Sequence, residues 1–223
     1  MKRTKLINRQ LPNYTRGEEI MNMVTHIVGG ALGVIALIYC SIKAIKSEIA
    51  TNILGAVTYG VSIVMLYTMS SVYHGLRVGT GKKVFQVIDH CTIYFLIIGT
   101  YVPIMLTAFL PRYPHIAWTL LSLELILGIL ATVLTAIDLK KYNVFSMICY
   151  IFMGWCLIFF IKPSLDVLTT SGFLLILSGG IAYTIGAILF GIGATVHWMH
   201  AVFHIFVVLG SILHFLGIYF YVL

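Results

Sequence analysis

Three of the eight histidines in this 223-residue chain fall within eight residues: His197, His200 and His204. On a helix, residues four apart lie on one face about one turn from each other, so His200 and His204 would present two imidazoles side by side, as a metal chelate needs. An amphipathic helix also carries such a pair by chance. A metal centre therefore requires further ligands from elsewhere in the chain, and the elements that carry them have to be placed first.

Composition restricts those elements sharply. Hydrophobic residues make up 60% of the chain, charged residues only 9%, and the mean hydropathy is +1.02. A water-soluble domain with this composition would expose most of its apolar side chains. The fold class expected is an all-α, polytopic membrane protein. Apolar stretches of about 20 residues recur, the length a helix needs to cross about 30 Å of hydrocarbon, and the alternating ten-residue strands of a barrel are absent. Seven such segments can be drawn, over 23–42, 53–73, 87–108, 116–137, 144–161, 172–191 and 199–221. Gly79-Thr80-Gly81, Pro111 with Pro114, and Pro163 punctuate them where turns and helix ends are expected. There is no linker or low-complexity tract. The organisation expected is a polar amino-terminal segment, 1–22, followed by a seven-helix transmembrane domain, 23–223. No small-residue cleavage site follows the first apolar segment, so that helix is expected to be retained.

The net charge of +7 comes from basic residues scattered over short loops and the amino-terminal segment. Membrane topology and anionic headgroups account for them better than nucleic acid does. Cys40, Cys91, Cys149 and Cys156 lie within spans without a CxxC pattern and read as small buried apolar residues.

Lys and Arg are unequal on the two sides of the seven segments. One side carries Lys2, Arg3, Lys5, Arg9, Arg16, Arg77, Lys82, Lys83, Lys140 and Lys141; the other carries Lys43, Lys46, Arg112 and Lys162. Ten against four puts the amino terminus in the cytoplasm and the carboxyl terminus outside, with the plasma membrane as the expected location. His74 then ends span two, Asp89 begins span three, and His200 with His204 begin span seven, all at the cytoplasmic edge. Three imidazoles and a carboxylate reach one level of the membrane. Three protein ligands that leave a position for water form the open arrangement of a catalytic zinc, and imidazole favours zinc over calcium or magnesium. Asp89 could orient that water and accept its proton. Ser70, one turn before His74, could hydrogen-bond Asp89 or a ligand histidine. Glu18, Asn22 and His26 form a polar stripe every four residues, with Glu19 beside them. It is either an ordinary acidic helix start or a support for the site.

These residues resemble a known family. Glu19-x-x-Asn22-x-x-Thr25-His26, Ser70-x-x-Tyr73-His74, Asp89-His90 followed by Gly99-Thr100-Tyr101-Val102-Pro103, and His200-x-x-x-His204 are similar to the motifs of the haemolysin III family. Its members are the bacterial branch of the progestin and adiponectin receptor (PAQR) superfamily, itself similar to alkaline ceramidases. The resemblance runs from about Glu18 to the end of the chain. It implies a seven-helix fold with zinc near the cytoplasmic face, held by the residues matching His74, His200 and His204. Asp89 would contact the metal-bound water, with Ser70 supporting the site.

His90 and His197 lie near the site but lack the face or the motif, and read as supporting or interfacial groups. Glu124, in the middle of span four, and His214, in the outer half of span seven, agree in depth. Because ionisable groups this deep usually find a partner inside the bundle, they are expected to meet directly or through water; the alternative is a protonated Glu124 bonded to a backbone carbonyl. The reading that follows is a zinc-dependent intramembrane hydrolase acting on a lipid amide or ester, with membrane lipids as its partners and Asp89 as base and proton donor. Two other readings remain: a non-enzymatic membrane sensor or regulator with structural zinc, and a cytolysin (haemolysin). The chain's apolar character speaks against a cytolysin.

Overall fold

A computed structural model describes residues 4–223; Lys2 and Arg3, counted in the basic segment above, lie outside the described residues. The elements are a single 3-10 turn, Leu6–Asn8, and helices α1 Arg16–Lys46, α2 Ala50–Gly75, α3 Thr80–Pro103, α4 Pro114–Ile137, α5 Asn143–Trp155, α6 Ile161–Ile192 and α7 Met199–Tyr221. Past Pro103, α3 continues as a wider π-helical stretch, Ile104–Phe109, and a 3-10 stretch, Cys156–Phe160, joins α5 to α6. No strand occurs among the described residues.

The surface of the bundle is apolar and its interior carries the polar groups. On α4, Ile126, Ile129, Leu130 and Val133 are exposed at helical spacing, whereas Glu124 and Thr135 are fully buried. This inversion suits a hydrocarbon solvent, in which polar side chains must find partners inside. The four cysteines are buried and free, as expected.

α1 begins at Arg16 rather than at residue 23, because its polar first turns are part of the bundle. Thr15 caps it: the Thr15 hydroxyl accepts from the backbone N–H of Glu18, and the Glu18 carboxylate accepts in turn from the backbone N–H of Thr15. α1 packs between α2 and α7, and α6 packs along α7. Small residues permit the close approaches. A Cβ on Gly60 of α2 would stand 2.5 Å from the Leu37 backbone of α1, and one on Gly179 of α6 would collide with the His214 ring of α7.

Six helical stretches are long and apolar enough to cross a membrane, one fewer than the sequence segments, because residues 143–192 form a single helical run. That run is not straight. The indole of Trp155 donates to the Thr184 hydroxyl at 3.0 Å, although 29 residues of straight helix would separate them by about 44 Å. The chain doubles back near the midpoint, at Thr169, whose backbone adopts φ 61°, ψ 168° inside α6. The reversal lies at Thr169, six residues beyond the expected turn at Pro163.

Contacts between loops group the two ends. At one, Thr4 and Arg9 reach the start of the α4–α5 connection, Lys83 donates to the Ile7 carbonyl, and Glu18 meets the loop before α7. At the other, Lys43 donates to the Tyr219 carbonyl, and Arg112 pairs with Asp166 at 2.7 Å, close to the Thr169 reversal.

Candidate metal centre

Two helices deliver three histidines to one point. His74 sits in the last turn of α2, and His200 and His204 occupy the first turn and a half of α7; all three are buried. Each can offer one ring nitrogen so that the three lie within 4.8 Å of one another. The Nε2 atoms of His200 and His204 are 3.1 Å apart. Two nitrogens bound to one tetrahedral zinc at ordinary Zn–N lengths stand about 3.3 Å apart, so the pair is already close to chelating distance.

The opposite ring nitrogens fix the tautomers. His74 Nδ1 lies 2.7 Å from Glu19 Oε2, and His204 Nδ1 lies 3.2 Å from the Asn22 carbonyl. An ionised carboxylate and a carbonyl only accept, so each Nδ1 carries a proton, and in a neutral imidazole the Nε2 then keeps its lone pair. His74 Nε2 is buried and has no hydrogen-bond partner. An orphaned acceptor beside two other imidazole nitrogens is what a metal ligand looks like without its metal, and the carboxylate and carbonyl behind the rings are the partners such ligands usually have. The residues present therefore fit a zinc ion.

His200 and His204 form one end of a cavity running between α3, α5, α6 and α7, with about 1220 Å³ of empty space, part of it open to the surroundings. Ser70 and Asp89 line the same cavity. The remaining walls are largely apolar, with Leu96, Met147, Ile151 and Phe203 among them, and His214 marks the far end. His74, His200 and His204 thus converge, and Ser70, Asp89, His200 and His204 line one cavity.

The neighbouring histidines play other parts. His90 Nδ1 bonds to the Gln86 carbonyl of its own helix, and His197, largely exposed, pairs with Glu18 at 3.1 Å. His26 lines the cavity, stacked on His204 with ring centres 3.7 Å apart, and neither of its nitrogens has a partner.

No direct hydrogen bond joins Glu124 and His214 among the described residues. His214 Nε2 bonds to the Ile176 carbonyl at 3.0 Å, whereas both Glu124 oxygens are buried without a partner, and Glu124 does not line the cavity. Agreement in depth left rotation about the helix axes open, and the two side chains point to different neighbours.

Several contributors escaped sequence reasoning. Lys82, counted as a loop charge, is 3% exposed; its Nζ meets Glu19 Oε1 at 2.8 Å and the carbonyls of Tyr73, His74 and Leu76 at 3.0–3.3 Å. Tyr14 stacks on His200 with ring centres 4.8 Å apart. Burial, with the charges of Glu19, Asp89 and Glu18 adding to it, pushes the Tyr14 phenol well above its usual range, so that it stays neutral. The aromatic just ahead of the polar stripe was the only sequence signal for Tyr14.

The sequence profile of a family described as haemolysin-III related matches residues 14–215. "Hemolysin-3" of Bacillus cereus is 39% identical over 206 residues, covering 92% of each chain. "Hemolysin-3 homolog" of Bacillus subtilis (strain 168) is 34% identical over 209 residues, covering 93% of this chain and 96% of that protein.

Proposed function

The chain belongs to the haemolysin III family, and from that premise we propose that it is a zinc-dependent intramembrane hydrolase of lipid amides or esters. The observation that carries this reading is the convergence of three imidazole nitrogens beside a carboxyl at the polar end of a largely apolar cavity. The chain would cross the membrane seven times, with residues 143–168 and 170–192 forming separate crossings joined at Thr169. In support, the hydrogen bond between Trp155 and Thr184 requires the chain to reverse between them. The charge count puts the amino terminus and the site at the cytoplasmic face and the carboxyl terminus outside.

His74, His200 and His204 would hold zinc. Zinc bound by three protein ligands polarises a carbonyl and lowers the pKa of a water towards about 7. Asp89 accepts the proton of the attacking water and returns it to the departing amine or alcohol as the carbonyl carbon gains oxygen and loses that group; the products are a carboxylic acid and the amine or alcohol. Ser70 holds the Asp89 carboxyl in place. The apolar walls accept a hydrocarbon chain, so membrane lipids are the substrate class expected, entering sideways between helices.

A non-enzymatic regulator with structural zinc would have its fourth ligand position closed by protein. The lining of the cavity by His200 and His204 favours the hydrolytic reading over this one. The test is turnover of a panel of ceramides and other lipid amides by purified protein, wild type against Asp89→Asn. Wild-type activity with a loss of about 10²–10⁴-fold in the variant, at equal zinc content, is the result expected. Zinc-loaded protein without turnover of any lipid amide or ester would overturn the hydrolase reading and leave the regulator.

A further inference from the structure

Two adjacent acids in the first turn of α1 bind different parts of the centre. Glu19 Oε2 accepts from His74 Nδ1 at 2.7 Å, and Glu19 Oε1 faces Lys82 Nζ at 2.8 Å. Lys82 also donates to the last carbonyls of α2, that of His74 among them, so it ties α3 to the helix end that carries the ligand. A buried cation and a metal-oriented imidazole thus share one carboxylate.

Glu18 works in the opposite direction. It is 2% exposed, and its Oε1 accepts from the backbone N–H of Trp198 at 2.6 Å, while His197 Nδ1 reaches Oε2 at 3.1 Å. Trp198 is the residue before α7, held in the left-handed region at φ 67°, and no side chain of α7's own sequence caps that helix. Its indole lies against Gly17, where a Cβ would come within 3.2 Å of the ring. A non-glycine residue in this conformation persists only when its surroundings over-determine it, and here the carboxylate and the glycine platform do so. His200 follows two residues later. One turn further along α1, the Asn22 carbonyl receives His204 Nδ1.

We propose that the first two turns of α1 act as a gauge for the metal centre: Glu18 fixes the start and register of α7, and therefore His200 and His204, while Glu19 with Lys82 fixes the ring of His74. Neither acid touches the metal; both are positioning residues. α1 is suited to this role because it packs between the two helices that carry the ligands. The inference rests on the metal-centre reading and extends it to residues outside the ligand set.

The test uses full-length protein in detergent, with zinc affinity measured by competition and cobalt(II) as a spectroscopic probe of ligand geometry. Glu19→Gln leaves a single acceptor for both His74 and Lys82, and should weaken zinc binding by about 10–100-fold and alter the cobalt spectrum. Glu18→Gln should do likewise through α7. Thr15→Ala removes the cap of α1 and the hydroxyl's bond to the Glu18 carboxylate while leaving the Trp198 bond in place, and should lower the melting temperature with a smaller change in the spectrum than Glu18→Gln. Wild-type affinity and spectrum in both Gln variants would overturn the proposal. So would a spectral change in Thr15→Ala equal to that in Glu18→Gln, since the effect would then come from the start of α1 alone. If Glu18→Gln does not fold, Glu19→Gln decides by the same criteria. A wild-type protein that binds neither metal would overturn the metal centre itself, an outcome distinct from failure of the gauge.

Discussion

His74 has its two ring nitrogens committed differently, one to Glu19 and the other left buried and free beside His200 and His204. That asymmetry, more than the mere presence of three histidines, gives the cluster the character of a ligand set. A second carboxylate does structural work at the same end of the molecule. Asp138, 1% exposed at the end of α4, accepts from the backbone N–H of Thr4 at 2.7 Å and from that of Lys141 at 3.2 Å. The hydrogen bond from Thr4 chiefly holds its carboxyl below the usual range, with the Arg9 charge a lesser aid. A depressed folded pKa stabilises at pH values above the unfolded value and loses that contribution as pH falls through the folded one. Docking of the amino-terminal segment on the α4–α5 connection should therefore persist from neutral pH down to about pH 4 and weaken progressively below it. Hydrogen exchange of the amides over residues 4–9 reads this directly. Protection that stays constant down to pH 2, or an Asp138→Asn protein with the same acid transition, would contradict it.

Among the elements, the reversal inside residues 143–192 has the least sequence support. Its backbone angles, φ 61° and ψ 168° at Thr169, belong to a region that glycine enters freely and other residues enter at a cost of about 1–3 kcal/mol. Thr169→Gly should stabilise the protein by about 1 kcal/mol, a rise of about 2–4 °C in melting temperature for a chain of this size. A melting temperature unchanged or lowered in detergent would show that the hydroxyl or the methyl of Thr169 contributes more than the backbone strain removes. The crossings themselves were readable because hydropathy and length report directly on a hydrocarbon solvent. This turn was not, because a single residue's dihedral angles leave no polar run behind, and Pro163, the expected punctuation, is accommodated near the start of α6. α1 starts seven residues before the apolar segment drawn at 23, because Glu18 and Asn22 are too polar to count towards that segment yet are buried in the bundle.

At the scale of the whole molecule, seven apolar segments and an uneven distribution of Lys and Arg were enough to bring His74, Asp89, His200 and His204 to one level, and Ser70 followed from its place on the face of His74. Depth is one coordinate of three. Motif and depth agree on the histidine cluster, whereas for Glu124 and His214 depth alone was available, and no direct hydrogen bond joins them among the described residues. Lys82 escaped because a basic residue near a loop counts as a topology signal until its burial is seen, and Trp198 because its contribution is a backbone angle. The proposed chemistry depends on one bundle assembling a metal centre at the polar end of an apolar cavity. Zinc-edge X-ray absorption of purified full-length protein, with metal content measured in wild type and His200→Ala, tests this most directly. The wild type should hold one zinc per chain, coordinated by three imidazole nitrogens at about 2.0–2.1 Å and one oxygen, and the variant should lose that zinc. Equal zinc in both proteins, or none in the wild type, would contradict it.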